Sequence, residues 1–260
     1  MGKSSFVSTK SFLFISVAAI FVLFPIETLA ENVEYHNGGV FSGNLDLSIL
    51  WYGRFGRAQK RVLKQFIHSL NVDLEDDISV SKWWNMVEQY QSLAGAGIQS
   101  GKIRVRIVKE QTDIAFAFGK ILNQGFIEGL VQKVAGETPN SAALIFTDMQ
   151  VSVHGTCPRR CSRHEIVGKT LYMVVGNPET KCPNECGWPF VKPTSGPQLI
   201  VPVQPPNGNV GTDSMVIALA AALAETVSNP YNNGLYGGQG SDIVEAVSAC
   251  PRIFGSNALY

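Results

Sequence analysis

The sequence predicts one α/β or α+β domain, a mixed sheet flanked by helices. Three observations carry this. Residues 102–110 (KIRVRIVKE) alternate strictly between apolar and charged side chains, the period of a half-buried strand. Between 57 and 70 the apolar residues Val62, Leu63, Phe66, Ile67 and Leu70 recur at helical spacing with charges opposite them. Two short apolar runs, 142–148 (AALIFTD) and 170–176 (TLYMVVG), are bounded by turn residues and read as buried strands. Strands interleaved with helices in one chain imply helices packed on a sheet.

The elements follow in order. Residues 45–52 (LDLSILWY) form a first strand, with Gly53 and Gly56 marking its end. The helix over 57–70 comes next. Ser79 or Ser81 caps a second helix, SKWWNMVEQYQSLAG, which Gly95 ends. After the strand at 102–110, a third helix is expected over 115–135, with Gly136 at its C-terminal end. The five prolines between 193 and 211 mark a surface loop within the domain. Thr212 or Asp213 then caps a helix running through Val227, which Asn229-Pro230 stops. That helix is apolar nearly all round from Met215 to Leu223, so burial is expected.

Residues 1–30 have the layout of a secretory leader, with Lys3 and Lys10 ahead of an apolar run at 12–24 and small residues before a cleavage point after Ala30. That run is shorter than the ~20 residues a spanning helix needs, so no membrane span is expected after processing, and residues 31–260 form the domain. The chain carries 21 basic and 21 acidic residues. Near-neutrality argues against electrostatically driven nucleic-acid binding. The short basic runs at 54–61 and 159–163 read as solvated faces, with a wall polyanion the less favoured alternative.

Cysteines place the domain in an oxidising compartment. Cys157, Cys161, Cys182 and Cys186 form two Cys-x-x-x-Cys pairs, which in an exported chain read as disulfides stabilising the fold, not as a thiolate zinc site. Pairing within each motif closes very small loops worth about 2 kcal/mol, while pairing across them closes loops of about 25 residues worth about 3.5 kcal/mol; spacing does not choose between the two. Cys250 is left over.

The blocks YHNGG, WYGRF, VVGNPETKCPNECGWPF and NPYNNGLYGG resemble the plant EXORDIUM-like, or phosphate-induced protein, family of secreted growth-associated proteins. The resemblance implies an apoplastic protein linked to growth regulation, including brassinosteroid-promoted growth. It also implies that the chain stops short of a family tail carrying a further cysteine, which would leave Cys250 unpaired. Many relatives carry His-Glu-Leu-Ala-Glu where this chain has Ala221-Ala222-Leu223-Ala224-Glu225, a pattern suggestive of zinc hydrolysis that admits a zincin-like arrangement. On a helix, His and Glu four residues apart share a face and both ligate a metal, while the intervening Glu polarises the bound water. Alanine stands at 221 and 222, so no catalytic residue, metal or cofactor is expected, and Glu225 is expected to face solvent or the Asn-Pro turn.

Other candidates are weaker. His164-Glu165 lacks a histidine at the fourth place of a protease motif, although family relatives have a histidine nearby, so a binding role for His164 stays open. His36, His68 and His154 are scattered. Rings at Trp51, Tyr52, Trp188, Phe190, Tyr231 and Tyr236 offer stacking surfaces for sugar, with core filling the expectation for most of them. No nucleophile elbow, P-loop or dinucleotide fingerprint is present. The expected function is therefore non-catalytic, through an unidentified extracellular protein or a cell-wall polysaccharide. The alternatives are a metal-dependent hydrolase recruiting His154 or His164 around Glu225, and a carbohydrate-binding module using Trp188.

Overall fold

The computed structural model describes residues 33–72, 79–94, 101–136, 138, 140–157, 160–192, 202–237 and 243–248. The leader with Ala30, the proline-rich stretch up to residue 201, Gly95 and Cys250 lie outside the described residues.

Strands β1 (Val33–Tyr35) and β2 (Gly43–Tyr52) lead into helix α1 (Arg57–Ser69) and α2 (Val80–Glu88). Strands β3 (Ile103–Asp113) and β4 (Ile121–Leu122), helix α3 (Gln124–Val134) and strands β5 (Ser141–Thr147), β6 (Ser152–Val153), β7 (Ser162–Val167) and β8 (Thr170–Gly176) follow. The short α4 (Pro183–Cys186), the long α5 (Val210–Ser228), β9 (Leu235–Gly237) and β10 (Val244–Glu245) close the described chain.

The main sheet is mixed, in the order β3-β2-β5-β8-β7. β3, β2, β5 and β8 run parallel, while β7 returns antiparallel along β8 through a tight turn that needs a positive φ at Gly168. Helices α1, α2 and α5 cover one face of the sheet and α3 the other, so its central strand reads as a continuous apolar run. All seven residues of β5 are buried. On one face Leu47, Ile49, Trp51, Leu144, Phe146, Met173 and Val175 meet α1, α2 and α5; on the other Leu50, Tyr52, Ile145, Tyr172 and Val174 meet α3. Each fully buried aliphatic side chain stabilises by ~1.5–3 kcal/mol before side-chain entropy is subtracted.

Six of the expected strands and helices fall where the sequence put them, within a few residues: β2, α1, β3, β5, β8 and α5. Ser79 caps α2, its Oγ accepting from Lys82 N at 3.2 Å, but the α-helix stops at Glu88 and continues as a 3-10 turn to Ala94. The helix expected over 115–135 is two things. After β3 the Asp113 carboxylate accepts from Ala115 N and Ala117 N, holding a turn in which Phe116 takes a φ of 54°, and β4 then pairs with β6. Only at Asn123, whose Oδ1 accepts from Phe126 N at 2.9 Å, does α3 begin. A short polar side chain competing for backbone donors stops the helix from starting earlier. The cap of α5 is likewise Asn209, not Thr212 or Asp213; its Oδ1 accepts from Thr212 N and Thr212 Oγ1.

By length and composition α5 would suffice to cross a membrane, yet most of it is buried within the fold, so it is a core helix. Ile217 is an exception, 45% exposed.

Within the main sheet, fully buried Trp51 on β2 donates from Nε1 to Glu110 Oε2 on β3 (3.2 Å), and Lys64 Nζ reaches Glu110 Oε1 at 3.0 Å. Burial alone would raise the Glu110 carboxyl, but the hydrogen bonds from Lys64 and Trp51 and the charges of Lys64 and Lys60 outweigh it and hold it below the usual value. A depressed folded pKa contributes stability above the unfolded pKa, lost as pH falls through the folded one. The Trp51 indole N–H resonance is therefore expected to titrate below the ordinary glutamate range, and a midpoint at or above that range would break the assignment.

Candidate functional site

Four cysteines build the first part of the site region. Cys157 bonds to Cys182 and Cys161 to Cys186, with Cα separations of 6.1 and 5.4 Å. The pairing is therefore across the two motifs, each link spanning 25 residues of sequence. The links fasten the segment entering β7 to α4, which follows β8. A cleft of about 280 Å³ opens beside them, lined among others by Arg160, Asn177, Lys181 and both disulfides.

β7 presents alternate side chains to the two faces of the sheet. Arg163 and Glu165 point to the α3 side, where the Arg163 guanidinium donates to His154 O, Gln124 Oε1 and Glu165 Oε1 while Tyr172 Oη donates to Glu165 Oε2. This network gives Glu165 a structural role and removes it from any protease-like pair with His164. His164 points the other way. It lies opposite Met173, whose side chain is in the α5-side core, and is only 2% exposed.

On that side α5 packs against β7 and β8, and also against the 3-10 turn Ala246–Ser248. Glu225 reaches out from its last turns, and Glu245 reaches in from β10, where it pairs with Tyr236. His164 Nε2 donates to Glu245 Oε2 at 2.6 Å, and Ser248 Oγ donates to Glu225 Oε1 at 2.8 Å. One ligating atom from each of His164, Glu225 and Glu245 lies within 4.8 Å of the others. His164 Nδ1 is buried and has no partner among the described residues. Burial and then the Glu245 carboxylate push the Glu225 carboxyl above its ordinary value, while the Ser248 hydroxyl, His164 and the Arg160 guanidinium pull it back.

The expected surroundings of Glu225 are thus corrected. It is half-buried, and its carboxylate turns to Ser248 and Glu245 in place of the Asn-Pro turn, because the chain after β9 folds back over the end of α5. His164 and Glu225, which the hydrolase alternative groups, come together, while His154 does not join them. Glu245 was not anticipated, since it lies 81 residues from His164 in a stretch with no motif.

Ala222 is fully buried within the α5-side core and Ala221 is half-buried one turn before Glu225. His154 is exposed after β6 and is not part of the cluster. His36 packs edge-on against Tyr236 at 5.0 Å, and His68 is exposed on α1. Among the aromatic candidates, Trp51 and Tyr52 are wholly in the core; Trp51 stacks on Phe146 at 4.7 Å. Trp188 and Phe190 are half-buried beside the disulfides, and Tyr231 is 49% exposed.

Residues 33–260 match a family model described as the phosphate-induced protein 1 conserved region. The chain is 37% identical over 258 residues to Protein EXORDIUM-like 2 of Arabidopsis thaliana, covering 95% of this chain and 81% of that one. It is 35% identical over 268 residues to Protein EXORDIUM of Arabidopsis thaliana, covering 96% and 84%. Against Protein PHOSPHATE-INDUCED 1 of Nicotiana tabacum the identity is 37% over 237 residues, covering 87% and 74%. No solved structure matches.

Proposed function

Because this chain belongs to the EXORDIUM-like, phosphate-induced protein 1 family, we propose that it is a secreted apoplastic protein that acts without catalysis in the regulation of plant growth, including brassinosteroid-promoted growth. It binds an extracellular protein or a cell-wall polysaccharide. The observation that carries the non-catalytic reading is the turn of α5 ahead of Glu225. Ala222 presents a methyl group to the hydrophobic core at the place where a hydrolytic helix would hold its water-polarising carboxylate, and Ala221 supplies no ligand. Export is supported by the layout of residues 1–30 and by the two cross-linked cysteine pairs, which persist in oxidising compartments.

Two measurements test this. The full chain expressed in plant cells is expected in the wall fluid with Glu31 as its first residue; an uncleaved form held in the cytosol with reduced cysteines overturns the export reading. Purified protein is expected to leave peptide substrates intact, and hydrolysis abolished by a chelator overturns the non-catalytic reading. Retention on wall-polysaccharide columns that weakens in Trp188→Ala distinguishes a carbohydrate partner from a protein one.

A further inference from the structure

His164, Glu225 and Glu245 meet at the end of α5. The residues come from an edge strand, the end of the long helix and a short strand near the end of the described chain, so their convergence is a property of the fold and not of one local turn. His164 bonds Glu245 and has Glu225 within 4.8 Å, in a place where His164 and Glu245 are 2% and 8% exposed and Glu225 is half-buried. Uncompensated anionic charge at such burial is costly, and a cation relieves it. His164 also keeps a buried ring nitrogen with no partner among the described residues.

The donor set selects the class of ion. Calcium takes six to eight oxygen ligands and magnesium keeps mostly water and phosphate, whereas one imidazole nitrogen with two carboxylate oxygens suits zinc and its neighbours. Metal–ligand distances of ~2.1 Å place tetrahedral ligand atoms ~3.4 Å apart. The present separations, none beyond 4.8 Å and one of 2.6 Å, bracket that value, so small side-chain rotations suffice. Ser248 already orients the Glu225 carboxylate, the outer-sphere support that ligating carboxylates use.

We propose that His164, Glu225 and Glu245 form a binding site for one divalent transition-series cation of zinc's class, and that the ion clasps the 243–248 segment onto β7 and α5. The clasp requires no reaction at the metal and leaves the fourth position to water.

The test uses the full secreted chain with its disulfides intact, stripped with a chelator and titrated with Zn²⁺ in a calorimeter. One equivalent is expected to bind. Glu225→Gln, Glu245→Gln and His164→Asn are each expected to weaken binding at least tenfold, while exposed His68→Asn leaves it unchanged. Ala221→His adds an imidazole on the Glu225 face of the helix and is expected to tighten binding at least tenfold. Amide exchange of residues 243–248 is expected to slow on adding Zn²⁺ to the native chain and not to Glu225→Gln, whose amide oxygen still accepts from Ser248 and so protects the fold.

Binding that does not saturate near one equivalent, or that survives both Glu225→Gln and His164→Asn, or that is lost in His68→Asn, overturns the proposal. The outcome is separable from the function above. Bound zinc with no hydrolysis supports both, and bound zinc with chelator-sensitive hydrolysis supports the site while sinking the non-catalytic reading.

Discussion

Alanine at both Cys161 and Cys186 is expected to lower unfolding stability by about 3.5 kcal/mol, read as a fall in the denaturant midpoint of the oxidised protein. The link spans 25 residues and ties the entry of β7 to α4 across the intervening hairpin of β7 and β8. Its main effect is on the unfolded chain, where it removes loop-closure entropy. Because the Cys157–Cys182 link closes an overlapping loop and holds part of the same segment, it buffers the single loss, and removing both is expected to cost more than the two single losses summed. A loss under about 1 kcal/mol would show that the remaining link already restrains the same segment. Peptide mapping supplies the independent check: Cys157 is expected in one fragment with Cys182, and a fragment joining Cys157 to Cys161 would overturn the crossed pairing.

Phe146→Ala is expected to be equally damaging, at about 3–5 kcal/mol. The ring is fully buried in the middle strand of five and stacks nearly parallel on Trp51, at an interplanar angle of 14°. Removing it leaves a cavity between the sheet and the helices on the α5 side, where strands paired on both edges limit collapse. The melting temperature is expected to fall by roughly 10 °C for a domain of this size. Phe146→Leu is expected to recover more than half of the loss, and a change below about 1 kcal/mol in the alanine variant would place this ring outside the rigid core.

What could be read from the sequence was what periodicity and composition carry. The alternation at 102–110 marked β3, and helical spacing marked α1 to within a residue. The compact runs at 142–148 and 170–176 marked β5 and β8 because a parallel strand buried on both faces needs no polar alternation. The helix expected over 115–135 failed because Asp113 and Asn123 spend their side chains on nearby backbone N–H groups, a local choice that overrides apolar spacing. β7 was obscured because Ser162, Arg163, His164 and Glu165 are all polar, so its first half shows no apolar alternation.

The site was legible in part. His164 and Glu225 stand out by residue type, but only the return of the chain after β9 brings Glu245 and Ser248 to them. Spacing along a sequence reports neighbours on one helix or strand; it carries no signal for a pair 81 residues apart. The same holds for the disulfides, whose crossed pairing depends on α4 lying over the entry to β7.

The charged outer strand β3 has a consequence for behaviour in concentrated solution. Arg104, Arg106 and Lys109 stand exposed along it, and the register shift opposite Leu47 and Ser48 interrupts its ladder. A second molecule offering its own strand there would bring like charges together against a kinked template. Edge-to-edge pairing into fibrils is thereby disfavoured on this flank, in a chain of which 45% of the residues are hydrophobic.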